Sequence, residues 1–211
     1  MRFEYPTGQT LCAWSSDSDS VFFDIGSNYG FFSLMLLSRN PHLRVHAFEP
    51  NPRTFAHLTR TKTENGLDRL TLWNLGVSDE SGTLSLRCGE ADSGHSTFGE
   101  HPGLDPNGSV MVDVVPFDDW ASRQGLALPS SPKWIVKIDV EGFELRVLRG
   151  MQAALNARAF SGLVVEINPF TLNLTGDKPS EIHDFLVSCG YRLKAGCTFP
   201  DDGNAFFEPK P

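Results

Sequence analysis

The sequence predicts an open, doubly wound α/β sheet with mostly parallel strands and helices on both of its faces. From residue 20 onward, short apolar runs rich in β-branched and aromatic residues alternate with segments of helical character. Since a helix that returns the chain over a sheet face makes the next strand parallel, this alternation favours parallel pairing. The 211 residues, 40% of them hydrophobic, suffice for one such domain. We expect it to occupy residues 20–211, behind an amino-terminal extension of residues 1–19.

Three apolar runs predict strands in the first third of the chain, at residues 21–25, 44–48 and 70–75. Residues 29–38, between the first two runs, carry apolar side chains at helical spacing and predict a helix. A second helix follows Asn51, a typical cap residue with a proline after it, and ends at Gly66. Strand and helix therefore alternate regularly up to residue 75.

The remaining apolar runs predict strands at residues 83–87, 110–115, 134–138, 163–167, 191–194 and 205–208. Helical patterns fall at residues 116–124, 142–155 and 180–189. The loop of residues 88–109 is rich in Gly, Ser, Asp and Pro, and loops of this length in compact domains are usually functional or mobile.

A glycine-containing turn, residues 24–30, follows the first strand and opens the first helix. Glycines let the backbone turn tightly and approach a ligand, and a helix start offers free amide donors. A dinucleotide fingerprint would need glycine at position 28, where this chain has Asn28. The turn therefore favours a smaller nucleoside, and a purely structural turn is the alternative.

Glu49 ends the second strand, at about the offset of 20 residues from the glycine turn where an acidic residue binds a ribose diol. Pro50 beside it offers a rigid apolar surface for a purine. The alternative is a carboxylate that interacts with the helix beginning after Asn51. Together, the turn and Glu49 predict an adenosine site.

Four segments carry a family resemblance, namely residues 24–30, 48–51, 74–79 and 137–150. They resemble the FkbM family of S-adenosylmethionine-dependent methyltransferases, and the similarity extends over residues 20 to about 195. The resemblance implies a seven-stranded, Rossmann-like class I methyltransferase sheet whose last strand is antiparallel. It also implies O-methylation of a hydroxyl group.

The resemblance further implies how S-adenosylmethionine would be held. The glycine turn would wrap the methionine end, Glu49 would hold the ribose, and residues 74–77 would flank the adenine. The predicted cofactor-binding residues are Asp24, Gly26, Ser27, Asn28, Gly30, Glu49, Pro50, Asn74, Gly76, Val77 and Asp139.

Methyl transfer to an alcohol needs an aligned acceptor oxygen and a group that takes the hydroxyl proton. The predicted catalytic residues are Asp139, Glu141, Glu166 and His95. Glu141 and Glu144 are expected to share one face at the start of a helix, where interaction with the helix amino terminus is the alternative role. For His95, in the 88–109 loop, the alternative is an exposed histidine without a role in the reaction.

A divalent cation is a further interpretation of the acidic residues at the strand ends. Asp139, Glu166 and Asn168 would supply oxygen ligands, as in catechol-type methyltransferases. The same carboxylates also occur as ordinary hydrogen-bonded groups, which is the favoured interpretation, so the sequence predicts no metal-binding residue.

The charge balance bears on the partner. Lys and Arg number 18 and Asp and Glu 26, so the formal net charge of −8 disfavours nucleic acid and anionic membranes. The amino terminus lacks the apolar stretch of a signal peptide, and we expect a soluble, cytoplasmic protein that methylates a small-molecule or glycan hydroxyl. Relatives often have a longer amino-terminal segment that helps to cover the substrate, so this chain is either truncated or covered by its 88–109 loop.

Three other functions fit parts of the sequence. An NAD-dependent oxidoreductase is disfavoured by Asn28 and by the lack of a Tyr-x-x-x-Lys motif. A nucleic-acid amine methyltransferase would need a (D/N)-P-P-(Y/F) motif where this chain has residues 139–142. A non-catalytic nucleoside-binding domain stays an alternative, which the acidic residues after the strands disfavour.

Overall fold

The structure, a computed structural model, describes residues 4–89, 96–99, 108–129 and 133–211. Its strands are β1 (Val21–Ile25), β2 (Arg44–Phe48), β3 (Leu70–Trp73), β4 (Gly76–Val77), β5 (Gly82–Arg87), β6 (Ser109–Val115), β7 (Trp134–Ile138), β8 (Phe160–Ile167), β9 (Tyr191–Leu193) and β10 (Gly203–Pro209). Its helices are α1 (Glu4–Trp14), α2 (Phe31–Arg39), α3 (Pro52–Glu64), α4 (Phe117–Arg123), α5 (Glu144–Arg149), α6 (Gln152–Asn156), α7 (Pro169–Thr175) and α8 (Pro179–Ser188).

Seven strands form the main sheet, in the order β3-β2-β1-β7-β8-β10-β9. The first five are parallel, and β10 runs antiparallel to both β8 and β9. The predicted seven-stranded α/β sheet with an antiparallel last strand is therefore confirmed. Since the strand order reverses between β1 and β7, the crevice for a ligand is expected at the carboxyl ends of these strands.

The apolar runs are buried because the sheet is covered on both faces. All five residues of β1 and all five of β7 are buried. Phe22 and Phe23, which are adjacent in β1, belong to different core clusters because successive strand residues point to opposite faces. Phe23 packs edge-on against Phe117 and Trp134, with ring centroids 4.9 Å and 5.2 Å apart. The central strands thus hold their carboxyl ends in fixed positions.

A second, three-stranded sheet in the order β4-β6-β5 differs from the sequence prediction. The strand expected over residues 70–75 stops at Trp73, and residues 76–77 pair in parallel with β6 instead. β5 pairs antiparallel with β6 over the whole length of β5. This sheet forms through long-range pairing, which the local apolar pattern does not encode.

The helix predicted over residues 142–155 is two helices, α5 and α6, and the reason is a close approach of backbones. A Cβ on Gly150 would lie 1.9 Å from the carbonyl oxygen of Ser78. The Asp118 carboxylate then accepts hydrogen bonds from the amides of Ala153 and Ala154, at 2.7 Å and 3.1 Å, near the start of α6. α5 therefore ends where Gly150 meets the backbone of Ser78, and α6 begins shortly after it.

Two helices were not predicted from the sequence pattern. α1 lies within the expected amino-terminal extension, and its Leu11 is fully buried in the core on one face of the sheet. α7 follows β8 directly and begins at a cap, Asn168, whose side chain accepts hydrogen bonds from two backbone amides. In the parts of the chain described above, the helices are all too short or too polar to cross a bilayer.

Candidate functional site

A cleft of about 830 Å³, counting space open to solvent, lies at the carboxyl ends of the parallel strands. Ile25, Phe48 and Asp139, which end or follow β1, β2 and β7, all line it. Seven of the predicted cofactor-binding residues line it as well, namely Gly26, Asn28, Glu49, Pro50, Gly76, Val77 and Asp139. The cleft lies beside the reversal of strand order, where ligands of open α/β sheets bind.

The turn after β1 forms one wall of the cleft and can be built only with glycine. Gly26 has a φ of +78°, and a Cβ there would lie 1.8 Å from the carbonyl oxygen of Asp139. The amides of Gly26 and Ser27 both donate to the carbonyl oxygen of Phe48, at 3.1 Å and 2.9 Å. The turn is thereby fixed between the ends of β2 and β7.

Glu49 is buried in the cleft wall and held by two backbone amides. Its carboxylate accepts hydrogen bonds from Asn28 N and Asn51 N, both at 2.8 Å. Burial raises the pKa of Glu49 to about 7, although these two hydrogen bonds oppose the shift. A carboxylate has about four acceptor positions, so Glu49 keeps acceptor capacity for a ligand with two hydroxyl groups.

Four of the predicted cofactor-binding residues lie beside the cleft rather than in its lining. Asn74 donates to the carbonyl oxygens of Glu49 and Pro50, at 2.8 Å and 3.0 Å, and so supports the turn after β2. Asp24 is buried and accepts a hydrogen bond of 2.5 Å from Ser33 Oγ. Gly30 packs against Leu58. The hydroxyl of Ser27 is buried and has no hydrogen-bond partner among the described residues.

Three carboxyl groups of the cleft region lie close together. Asp139, Glu141 and Glu166 each place an oxygen so that the three atoms lie within 4.8 Å of one another. The buried ammonium of Lys137 lies 2.5 Å from Asp139 Oδ2. Three of the four predicted catalytic residues are thus brought together, and His95 lies outside the described residues.

The members of this acidic cluster, Asp139, Glu141 and Glu166, differ in their affinity for protons. Burial would raise the pKa of Asp139, but the Lys137 ammonium and a hydrogen bond with Glu166 together lower it. Burial and the nearby Asp139 charge raise the pKa of Glu141 to about 7 and that of Glu166 well above its ordinary value. Carboxyl groups whose pKa values differ in this way can take different roles in one reaction.

Glu141 enters the cleft from a strained turn and not from a helix. Its φ of +53° lies in the left-handed region, and the following Gly142 has a φ of +103°. α5 begins only at Glu144, whose carboxylate accepts hydrogen bonds from Val140 N and Gly142 N at 3.1 Å each. The expectation that Glu141 and Glu144 share a helix face is therefore wrong, because the chain turns between them.

Of the three cation ligands named from the sequence, Asp139 and Glu166 lie in the acidic cluster, whereas Asn168 does not. Asn168 Oδ1 accepts hydrogen bonds from the amides of Phe170 and Thr171, at 3.1 Å and 3.3 Å, and so caps α7. The acidic cluster could supply three oxygens in its place. Its charge is already balanced in part by Lys137, which lies against Asp139.

Six further residues that line the cleft were not predicted, namely Ile25, Phe48, Leu86, Ser96, Phe98 and Val140, whereas Leu75 belongs to the segment 74–77 expected to flank the adenine. Ile25, Phe48 and Val140 lie next to predicted site residues, so the ends of their strands could have indicated them. Leu86 belongs to the second sheet and Phe98 to the long loop. No local pattern places either residue over the main sheet.

Comparison with known sequences identifies a domain. A sequence model described as the methyltransferase FkbM domain matches residues 24–193. Hexuronic acid methyltransferase AglP of Haloferax volcanii is 31% identical over 153 residues, which cover 72% of this chain and 58% of that protein. The 2-O-methyltransferase NoeI of Sinorhizobium fredii is 27% identical over 156 residues, which cover 67% and 61%. The match thus spans about three fifths of the length of these curated relatives.

Solved structures share the fold. A SAM dependent methyltransferase from Aquifex aeolicus superposes with a TM-score of 0.53 at 10% identity, covering 95% of this chain and 87% of that one. Precorrin-6y C5,15-methyltransferase from Geobacter metallireducens has the same TM-score at 14% identity, covering 98% and 88%. At these identities the likeness concerns the fold alone.

Proposed function

Because this chain belongs to the FkbM family of methyltransferases, we propose that it transfers a methyl group from S-adenosylmethionine to a hydroxyl oxygen of a sugar, glycan or natural product. One observation carries the proposal. Glu49, which can accept the two hydroxyls of a ribose, lines the same cleft as Glu141, which can accept a proton. The residue proposed to bind the cofactor and the residue proposed to accept the proton therefore border the same cleft.

The part of the cleft around Glu49 suits the nucleoside of S-adenosylmethionine. Glu49 would accept hydrogen bonds from the ribose diol, and Pro50, Leu75 and Val77 would contact the adenine with their apolar surfaces. The glycine turn would surround the methionine end, where Gly26 and Asn28 line the cleft. The carboxylates of the cleft favour a ligand that carries a positive charge on sulfur.

The acidic cluster suits the transfer of the hydroxyl proton. When bound, S-adenosylmethionine supplies the methyl group, whose bond to sulfur breaks as its bond to the acceptor oxygen forms, so that the sulfur becomes neutral. Glu141 would take the hydroxyl proton, and a pKa of about 7 suits a general base near neutral pH. Asp139 stays ionised beside Lys137 and would orient the acceptor, whereas Glu166 keeps its proton.

The acceptor class is supported by the relatives. Two of them are named for methylation of a hexuronic acid and for 2-O-methylation, and the protein named 31-O-demethyl-FK506 methyltransferase FkbM from Streptomyces tacrolimicus is 29% identical over 167 residues. The second and third of these names specify an oxygen as the methylated atom, and the first names a sugar acid as the substrate. We therefore assign this chain an oxygen acceptor.

Methyl transfer from radiolabelled S-adenosylmethionine to a panel of sugars, uronic acids and polyketide alcohols tests the proposal. At least one hydroxyl compound should be methylated, and Glu141→Gln should lower the activity by about 100-fold or more while the cofactor still binds. Glu64→Gln, on the exposed surface of α3, is the matched control. Tight binding of NAD in place of S-adenosylmethionine would overturn the proposal, and so would cofactor binding without transfer to any acceptor.

A further inference from the structure

The turn that carries Glu141 adopts a conformation that its own sequence does not favour. Two consecutive residues, Glu141 and Gly142, have φ values of +53° and +103°. A side chain in the left-handed region is disfavoured unless the surrounding structure holds it there. At Gly142, a Cβ would lie 2.4 Å from the carbonyl oxygen of Thr171, so the turn is also pressed against α7.

Two threonine hydroxyls bind the successive carbonyl groups of this turn. Thr97 Oγ1 donates to the carbonyl oxygen of Glu141 at 2.6 Å. Thr175 Oγ1 lies 2.7 Å from the carbonyl oxygen of Gly142 and 2.9 Å from that of Leu172, and its one hydrogen is assigned to the nearer oxygen, that of Gly142. Thr97 comes from the segment of residues 96–99, and Thr175 is the last residue of α7. The turn is therefore held from two sides by elements that lie far apart in the chain.

Thr97 is itself fixed in place. It is buried, and its backbone exchanges two hydrogen bonds with Arg87 at the end of β5, at 2.9 Å and 3.0 Å. The Gly99 amide donates to Thr97 Oγ1 at 3.0 Å, so the hydroxyl hydrogen is left for Glu141. The Thr97 hydroxyl thus has one donor and one acceptor partner in a rigid arrangement.

Neither threonine takes part in the chemistry directly. Of the residues that the structure describes, those lining the cleft include Ser96, Phe98 and Glu141 but not Thr97 or Thr175. An effect of either hydroxyl on methyl transfer must therefore pass through the turn. Building on the function proposed above, we infer that Thr97 and Thr175 are positioning residues whose hydroxyls hold the strained turn and so place the Glu141 carboxyl in the cleft.

The inference predicts what the Glu141 carboxyl would experience without the two hydrogen bonds. In the present geometry, burial and then the charges of Asp139 and Glu144 oppose its ionisation, whereas the charge of Lys137 favours it. If the turn relaxes, the carboxyl gains water and moves away from the two acidic neighbours. Its pKa then falls toward the ordinary value of a glutamate.

NMR titration of protein labelled with ¹³C in the glutamate carboxyl groups tests this directly, with the Glu141 signal assigned by its loss in Glu141→Gln. Thr97→Val and Thr175→Val preserve side-chain shape and remove one hydroxyl each. We expect each to lower the Glu141 midpoint by about half a pH unit or more, and the double variant to lower it further. Thr97→Ser, which keeps the hydroxyl, should have the same Glu141 midpoint as the parent protein.

Thr171→Val is the matched control. Thr171 is buried on α7 and donates to a carbonyl oxygen, that of Asn168 at 3.2 Å, but its hydroxyl does not bind the turn. The Thr171→Val variant should lose about as much thermal stability as the other valine variants and keep the Glu141 midpoint of the parent protein. An unchanged midpoint in Thr97→Val, Thr175→Val and the double variant would overturn the inference.

The outcomes separate this inference from the proposed function. If Glu141→Gln methylates its acceptor at the parent rate, Glu141 is not the base, whatever the titration shows. If Glu141→Gln is inactive and the valine variants are also slowed at saturating cofactor, with an unchanged Kd for S-adenosylmethionine, both statements hold. We expect that slowing to be about 10-fold to 100-fold, as for other small displacements of a catalytic group.

Discussion

The role proposed for Glu49, binding of the ribose diol, leads to a quantitative expectation for cofactor binding. Replacing it with glutamine keeps the shape of the side chain and removes the charge. The structure shows two backbone amides on this carboxylate, and the remaining acceptor positions are assigned to the ribose diol. Losing charge-assisted hydrogen bonds of this kind costs about 1–3 kcal/mol, which raises the Kd for S-adenosylmethionine by about 5-fold to 150-fold.

Isothermal titration calorimetry with S-adenosylmethionine and with its demethylated product measures this change. A nucleoside analogue that lacks both ribose hydroxyls gives the sharper comparison, because the parent protein and Glu49→Gln should bind it with nearly equal affinity. Glu64→Gln, exposed on α3, should bind all ligands like the parent. Equal weakening of the analogue and the natural cofactor would show that Glu49 does not bind the diol.

The same carboxyl gives the binding a pH dependence. Since burial raises the pKa of Glu49 to about 7, part of the population is protonated at neutral pH. The ionised form is the better acceptor, so affinity for S-adenosylmethionine should increase as the pH rises from about 6 to about 8. In Glu49→Gln this increase should be smaller.

Three further expectations concern the acidic cluster and its neighbours. Glu141→Gln should lower kcat by about 10²-fold to 10⁴-fold without changing the Kd for S-adenosylmethionine, and an equal loss in both would contradict its role as base. Burial raises the pKa values of Glu49, Glu141 and Glu144 in the folded state from 4.5 to about 7, so the folded state binds more protons than the unfolded state between these pH values. The ligand-free protein should therefore lose thermal stability as the pH rises from about 4.5 through about 7. A melting temperature that rises over this window would refute the assignment. Because Lys137 already lies against Asp139, methyl transfer should persist in EDTA, and recovery only on adding Mg²⁺ would show that the cluster binds a metal.

Local signals in the sequence were enough to predict the main sheet. β2 and β7 begin and end where their apolar runs do, and Asn51 caps α3 as its side-chain type suggests. The break between α5 and α6 was not predictable, since it depends on the contact of Gly150 with Ser78, far away in the chain. The second sheet was missed for the same reason.

The site was predictable to the extent that strand ends determine it. Asp139, Glu141 and Glu166 follow or end two neighbouring parallel strands, and parallel strands place their carboxyl ends at one edge. The turn between Val140 and α5 was taken for part of a helix, because a left-handed glutamate has no sequence signal of its own. The threonines that bind this turn were missed because one comes from the long loop of residues 88–109 and the other from an unpredicted helix.

The position of β7 between β1 and β8 has a consequence for synthesis of the chain. β1 pairs with β2 early, but its other edge has to wait for Trp134–Ile138, and β8 follows later still. Until then, the apolar side chains of β1 border an open edge that can pair with other chains. Folding on the ribosome therefore reaches the stable sheet only after most of the polypeptide has emerged, and chaperone binding to partly made chains should concentrate on the segment around Val21–Ile25.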